Sequence, residues 1–128
     1  MKKFINVHNL PLTISILIVI PIAFSYGIKP DLLFDITINT IDEATVFKAI
    51  MGLYLAFASF WYLGILKPTY WKAAIFSNVF FMLGLAFGRT ISILFDGLPS
   101  PIFIIGTIGE LVLGLYGWYV LKTKKRSD

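Results

Sequence analysis

The distribution of charge constrains this chain more than any other feature. No Asp, Glu, Lys or Arg occurs in residues 10–28, 49–66, 73–88, 97–109 or 111–121. About 20 consecutive apolar residues cross the hydrocarbon core of a bilayer as a helix. Bridging the isolated Arg89 and Glu110 turns the five runs into four such windows. A soluble domain of 128 residues that is 58% hydrophobic and 14% charged would have little left to face water. The expected fold is therefore all-α: an integral membrane four-helix bundle, up-down-up-down. It forms a single domain over residues 1–128, with helices at about 10–28, 41–66, 70–96 and 101–121.

Local signals set these boundaries. Pro11 suits a first helical turn, where its missing N–H costs nothing, and Pro21 predicts a kink in the first span. Lys2-Lys3, an apolar run and Ala23-Phe24-Ser25 also resemble a cleavable leader, although this run is long enough to span. Thr40-Ile41-Asp42-Glu43 reads as a capping box that starts the second span. Lys67-Pro68 ends it, and Thr69 can cap the third span. Gly97 suits a left-handed position after that helix. Ser100-Pro101 is a cap followed by proline at the first position of the fourth span. The connection from Lys29 to Glu43 holds four acids but also Leu32, Leu33, Phe34, Ile36, Ile38 and Ile41. It is expected to lie on the membrane surface or to lid the bundle.

Charge sign gives orientation. Lys2, Lys3, Lys67, Lys72, Lys122, Lys124, Lys125 and Arg126 fall on one side of a four-span layout. Asp31, Asp35, Asp42, Glu43 and Asp96 fall on the other. The positive-inside rule puts both termini in the cytoplasm and the protein in the inner (plasma) membrane. That explains the formal charge of +4 without nucleic acid as a partner. Trp61-Tyr62, Tyr70-Trp71 and Trp118-Tyr119 read as an aromatic belt at the inner interface. His8 reads as an interfacial side chain.

Helical periodicity collects small residues onto faces. Lys48, Ala49, Gly52, Ala56 and Ser59 share one face of the second span. Ser77, Gly84, Gly88 and Ser92 share one face of the third, with Arg89 and Asp96 at its edge. Gly106, Gly109, Glu110, Gly114 and Gly117 share one face of the fourth. Small residues let helices approach closely in lipid, so these faces are expected to meet. At 1.5 Å of rise per residue, Arg89 lies about 10 Å and Glu110 about 14 Å from the outer ends of their helices. Adjacent spans joined by a short turn are antiparallel neighbours. An Arg89–Glu110 ion pair is expected in the outer half of the bundle, with Ser92, Asp96 and Lys48 extending the polar cluster.

Ionised groups at membrane depth cost roughly 2.5–3.5 kcal/mol each on insertion scales, so they are normally paired and face inward. The leading reading of the pair is structural: it sets the register of the last two helices in a structural or interaction component. The alternative is an outward-facing binding or transport site for a lipid headgroup, small anion or proton. Enzymatic chemistry ranks last. The single histidine is remote from the cluster, no metal-ligand spacing occurs, and the absence of cysteine excludes thiol chemistry and disulfides. No cofactor or metal is expected. The partners expected are the lipid bilayer and a second copy of the chain or another membrane protein.

Gly88-Arg89-x-x-Ser92-x-x-x-Asp96-Gly97-x-Pro99, followed by Glu110 in the last span, resembles an uncharacterised family of small bacterial four-helix membrane proteins grouped as a domain of unknown function. The layout is also similar to that of small four-helix DoxX-like proteins. The resemblance covers nearly the whole chain and implies the same four-span architecture. It carries no activity, and it leaves the segment from Lys29 to Glu43 unassigned.

Overall fold

The computed structural model describes residues 2–123. Among the described residues five helices follow one another: α1 (Lys2–Ile5), α2 (Leu10–Ile28), α3 (Ile41–Leu66), α4 (Pro68–Asp96) and α5 (Pro101–Thr123). A short 3-10 turn, Pro30–Leu32, lies between α2 and α3. The four long helices are each long and apolar enough to cross a membrane. They alternate in direction, so the architecture is an all-α up-down-up-down bundle, and membrane insertion follows from its composition.

The helix ends follow from local chemistry. The Thr40 Oγ1 accepts from the Glu43 N–H at 3.1 Å and donates to Glu43 Oε1 at 3.0 Å, so the box starts α3. Helix α4 begins earlier than expected. Pro68 occupies its first turn and the extended Lys67 is its N-cap, so Thr69 is already helical and does not cap. Proline ends α3 and starts α4 with one residue between them, because it lacks the N–H that neither role needs. Gly97 has the expected positive φ of 102°, but its ψ of −175° is extended. The chain therefore leaves α4 straight instead of curling back over the last turn. Pro101 opens α5. Helix α2 runs from Leu10 to Ile28 through Pro21.

The N-terminal segment is a structured clamp, which sequence reading did not anticipate. Asn9 Nδ2 donates to the Lys3 carbonyl at 2.8 Å, and Thr13 Oγ1 donates to the Phe4 carbonyl at 2.7 Å. Lys3 Nζ reaches the last carbonyl of α3 at Leu66, 3.2 Å away. Trp71 Nε1 donates to the His8 carbonyl at 2.9 Å, and the two rings meet edge-on. These contacts place the start of α2, the end of α3 and the start of α4 at one end of the bundle. The loop after α2 and the Gly97 turn lie at the other end, called the loop end below. Lys124, Lys125 and Arg126 lie outside the described residues.

The core mixes aromatic and aliphatic side chains and is not glycine-rich. Tyr54, Ala58, Trp61, Gly64 and Ile65 form the buried face of α3. Trp71, Ala74, Ile75, Asn78, Val79, Met82 and Ala86 form that of α4. The anticipated belt divides accordingly. Trp61 and Trp71 are buried core residues, while Tyr62, Tyr70, Trp118 and Tyr119 are exposed. Indole N–H groups explain the split: Trp61 donates to Ser77 Oγ at 3.0 Å and Trp71 to the His8 carbonyl, so burial leaves neither unsatisfied.

The glycines divide in the same way. A Cβ on Gly114 would fall 2.5 Å from Leu83 Cδ2, and one on Gly117 would fall 3.0 Å from Val79 Cγ2. These two residues let α4 and α5 touch. Gly27 against Met51 and Gly64 against Ala74 are equally intolerant, and neither was singled out from sequence. In contrast, a Cβ on Gly52, Gly84, Gly88 or Gly109 would meet nothing within 4 Å. The expectation that the small faces of the second and third spans pack inside the bundle is therefore corrected. Lys48, Ala49, Gly52, Ala56 and Ser59 are all exposed, as are Gly84 and Gly88. On α3 the face that carries Tyr54 and Trp61 turns inward instead, and on α4 a face of Trp71, Ala74, Ile75, Val79 and Met82 does so, while Phe76, Phe80, Phe87 and Phe95 stay exposed.

Candidate functional site

Arg89 and Glu110 face each other across α4 and α5, with Arg89 Nη1 2.6 Å from Glu110 Oε2. The side chains retain 20% and 12% of their exposure respectively, so the pair is largely withdrawn from the surface. Two local features bring them together. The turn between Gly97 and Ser100 makes α4 and α5 antiparallel neighbours. Gly106 then leaves room for the guanidinium: a Cβ there would sit 3.1 Å from Nη1.

A third helix joins through a residue that sequence reading missed. Arg89 Nη2 donates to the Tyr26 hydroxyl of α2 at 3.1 Å. Tyr26 is the centre of an aromatic stack. Phe34, from the loop after α2, lies parallel to it at 4.9 Å, and Phe103 of α5 continues the stack at 4.7 Å from Phe34. Tyr54 of α3 meets Tyr26 edge-on at 5.8 Å. The Arg89 guanidinium carbon lies 5.5 Å from the centre of the Phe103 ring, within cation–π reach. The apolar loop thus lids the bundle through Phe34, which is buried, as is Pro30. The sequence signal for Tyr26 was a lone phenol inside an apolar window. A buried phenol needs a partner for its hydroxyl, and Arg89 is the partner it finds.

The other members of the anticipated cluster are not drawn in. Ser92 Oγ donates to Asp96 Oδ2 at 2.9 Å, an exposed pair one turn further along α4. Asp96 sits in the last turn of α4, where the helix dipole disfavours a carboxylate, and the serine hydroxyl offsets part of that cost. Lys48 is exposed and has no hydrogen bond or ion pair among the described residues. The side chain leaves the face that carries Tyr54, so Lys48 is removed from the cluster.

A cavity of about 270 Å³ adjoins the ion pair. Arg89, Glu110, Gly106 and Gly109 line one part of it, and Ile18, Val19, Ile22, Met82, Leu85, Ile105 and Leu113 are among its apolar walls. An apolar cavity of about 150 Å³ is enough to bind benzene, so this space can hold a larger apolar group. A second, more open cleft of about 240 Å³ lies on the loop side of Arg89, between Ser92, Pro99, Phe103 and Thr107. Arg89 borders both. Glu110 Oε1 is buried without a hydrogen-bond partner among the described residues. The ion pair therefore leaves one carboxylate oxygen as an unused acceptor.

A bundle of four membrane-length helices, with a buried ion pair beside an apolar cavity, defines a small multi-pass membrane protein. The chain belongs to the family described as a domain of unknown function (DUF4345), which it matches over residues 7–121. Those residues include α2, α3 and α4, α5 as far as Leu121, and every residue of the Arg89 site. No curated protein and no solved structure matches the chain.

Proposed function

We propose that the protein binds a small amphiphile within the membrane, in the cavity that Arg89 and Glu110 close. One observation carries this reading: both members of the ion pair line the same largely apolar cavity, and one carboxylate oxygen is left unpartnered. A pair that served only to fix helix register would be packed against side chains on every side. The apolar walls suit a hydrocarbon body, and the polar corner suits its head. This arrangement supports the binding alternative over a purely structural role.

Orientation belongs to the same proposal. Lys2, Lys3, Lys67 and Lys72 lie at the end where α1 packs, and the loop acids lie at the other. The positive-inside rule then supports an inner-membrane protein with cytoplasmic termini and the ion pair in the outer half. A periplasmic location for a C-terminal tag would refute that orientation.

Native mass spectrometry of the full chain, released from membranes in mild detergent, tests the binding reading. Gly109 lines the cavity and has free space at its Cβ position, so Gly109→Leu fills the cavity without a clash at the backbone. The wild-type chain is expected to carry an amphiphile-sized adduct that the folded variant lacks. An equal adduct on both, or none on either, overturns the proposal.

A second reading has its own support. The open faces at Gly52, Ala56 and Ser59 on α3 and at Gly84 and Gly88 on α4 fit close approach of another transmembrane helix. The interaction partner would be a second copy of the chain or another membrane protein. Cross-linking in the native membrane, with Gly88→Leu as the blocked variant, tests it. Unchanged cross-linking in that variant counts against a Gly84–Gly88 interface.

A further inference from the structure

The cavity has a direction and a chemical bias that narrow its ligand, given the binding reading above. Its rim includes Ile18 of α2 and Ile102 and Ile105 of α5, which are 44%, 38% and 70% exposed. These exposed isoleucines belong to two membrane-spanning helices, the first and last of the bundle. The rim therefore faces lipid hydrocarbon, and a ligand reaches the cavity sideways from the bilayer, not from water.

The polar corner is electrically satisfied before any ligand arrives. Arg89 gives Nη1 to Glu110 and Nη2 to Tyr26, and its face lies near Phe103. Its positive charge is neutralised by the carboxylate beside it. An anionic head would have to approach Glu110, and a cationic head would have to approach Arg89; each meets a like charge in surroundings of low dielectric. The site lacks something else, a hydrogen-bond donor for the buried Glu110 Oε1. A buried acceptor left unpartnered costs roughly 1–3 kcal/mol. An uncharged hydroxyl supplies the donor without adding charge.

We propose that the cavity takes one hydrocarbon chain of a neutral lipid that carries a free hydroxyl, entering between α2 and α5, with the hydroxyl donating to Glu110 once the carboxylate turns its covered Oε1 toward the cavity. Two sources share this chemistry: a long-chain or prenyl alcohol, and a diacylglycerol-like glyceride. A volume of about 270 Å³ lies just below the usual range of about 300–1,000 Å³ for pockets that enclose a whole small molecule. One chain is therefore housed and the rest of a larger lipid stays in the bilayer.

The test uses the full chain in phosphatidylcholine nanodiscs and a dodecanol whose chain bears a diazirine. Light attaches the probe, and peptide mass spectrometry locates it. Labels are expected on α2 and α5 around Ile18 and Ile105, and Gly109→Leu is expected to abolish them. Unlabelled dodecanol should compete at concentrations about tenfold lower than dodecyl methyl ether, dodecane or dodecyl phosphate, the difference of one net hydrogen bond. Glu110→Gln leaves Arg89 uncompensated, and dodecyl phosphate should then become the better competitor. Farnesol and dioleoylglycerol as competitors distinguish the two sources, and the stronger identifies which lipid class fits. If ether, alkane or phosphate competes as well as the alcohol while Gly109→Leu still blocks labelling, the hydroxyl assignment fails and the cavity reading survives. If labelling in Gly109→Leu equals wild type, or α2 and α5 are not labelled at all, both fail.

Discussion

The two ends of the bundle bury polar groups in opposite ways. At the terminal end the buried polar groups are neutral and the packing is close. Trp61 meets Ser77, Trp71 meets the His8 carbonyl, and Gly64 and Gly117 press against Ala74 and Val79. At the loop end the buried groups are charged, and a cavity lies next to them. In lipid there is little hydrophobic gain from bringing helices together, so association rests on packing and interhelical hydrogen bonds. The terminal end draws on both. The loop end packs an aromatic stack on one side of its ion pair and leaves a cavity on the other. Space retained beside a costly charged pair is what directs attention to function there, and the terminal end shows that this sequence can pack tightly elsewhere.

Substitutions can sharpen or break that contrast. The largest loss is expected for Trp61→Ala at the close-packed end, about 3–5 kcal/mol in reversible unfolding in detergent, as for other buried aromatics. A small loss there would mean that the terminal end is not the packed anchor. Glu110→Gln is expected to cost about 3 kcal/mol, because it leaves Arg89 buried without its counter-charge. Adding Arg89→Gln should restore part of that loss, since membrane polar pairs have a net worth averaging about 0.6 kcal/mol. A double variant as damaged as the single would remove the pairing argument. Tyr26→Phe should cost about 1.5 kcal/mol, the low end for a hydrogen bond to a charged group. A change within error would show that α2 is held by the aromatic stack alone.

At the terminal end, Asn78 gives a prediction of opposite sign. Its side chain is fully buried near Gly117, and its amide has no hydrogen-bond partner among the described residues. Asn78→Leu should therefore stabilise the bundle by about 1 kcal/mol, because an unpaired buried amide is costly. A raised melting temperature in a detergent thermal-shift assay would show it; a lowered one would reveal a polar role for Asn78. The smallest effect belongs to Lys48→Ala, within about 0.5 kcal/mol of wild type in the same assay, as for an exposed residue outside any network. A larger change would return Lys48 to the site.

How far sequence reading reached depends on the range of the interaction involved. The four spans, the Thr40–Glu43 box, the positive φ of Gly97 and Pro101 at the start of α5 each depend on residues a few positions apart. Hydrophobic runs, caps and prolines act locally, and they were legible. The Arg89–Glu110 pair was legible because a short turn forces α4 and α5 side by side, which leaves only depth to be estimated. Tyr26, Phe34 and Phe103 were not. They come from three different segments, and nothing in the spacing of one segment shows which neighbour its ring will meet. The inward faces of α3 and α4 were misread for a related reason. Small residues permit close approach from either side of a helix, and only the fit against the neighbouring helices decides which side turns in.

The chain's own pattern of charge-free runs determined that it forms four apolar helices, since about 20 residues without charge have one economical conformation in a bilayer. It also determined that two opposite charges would lie near the same depth. Only the tertiary structure decided that Tyr26 would join them, that Lys48 would not, and that a cavity would remain beside Glu110. Those outcomes depend on the volume left when four helices pack together. Volume is a property of the assembled bundle and of no single helix.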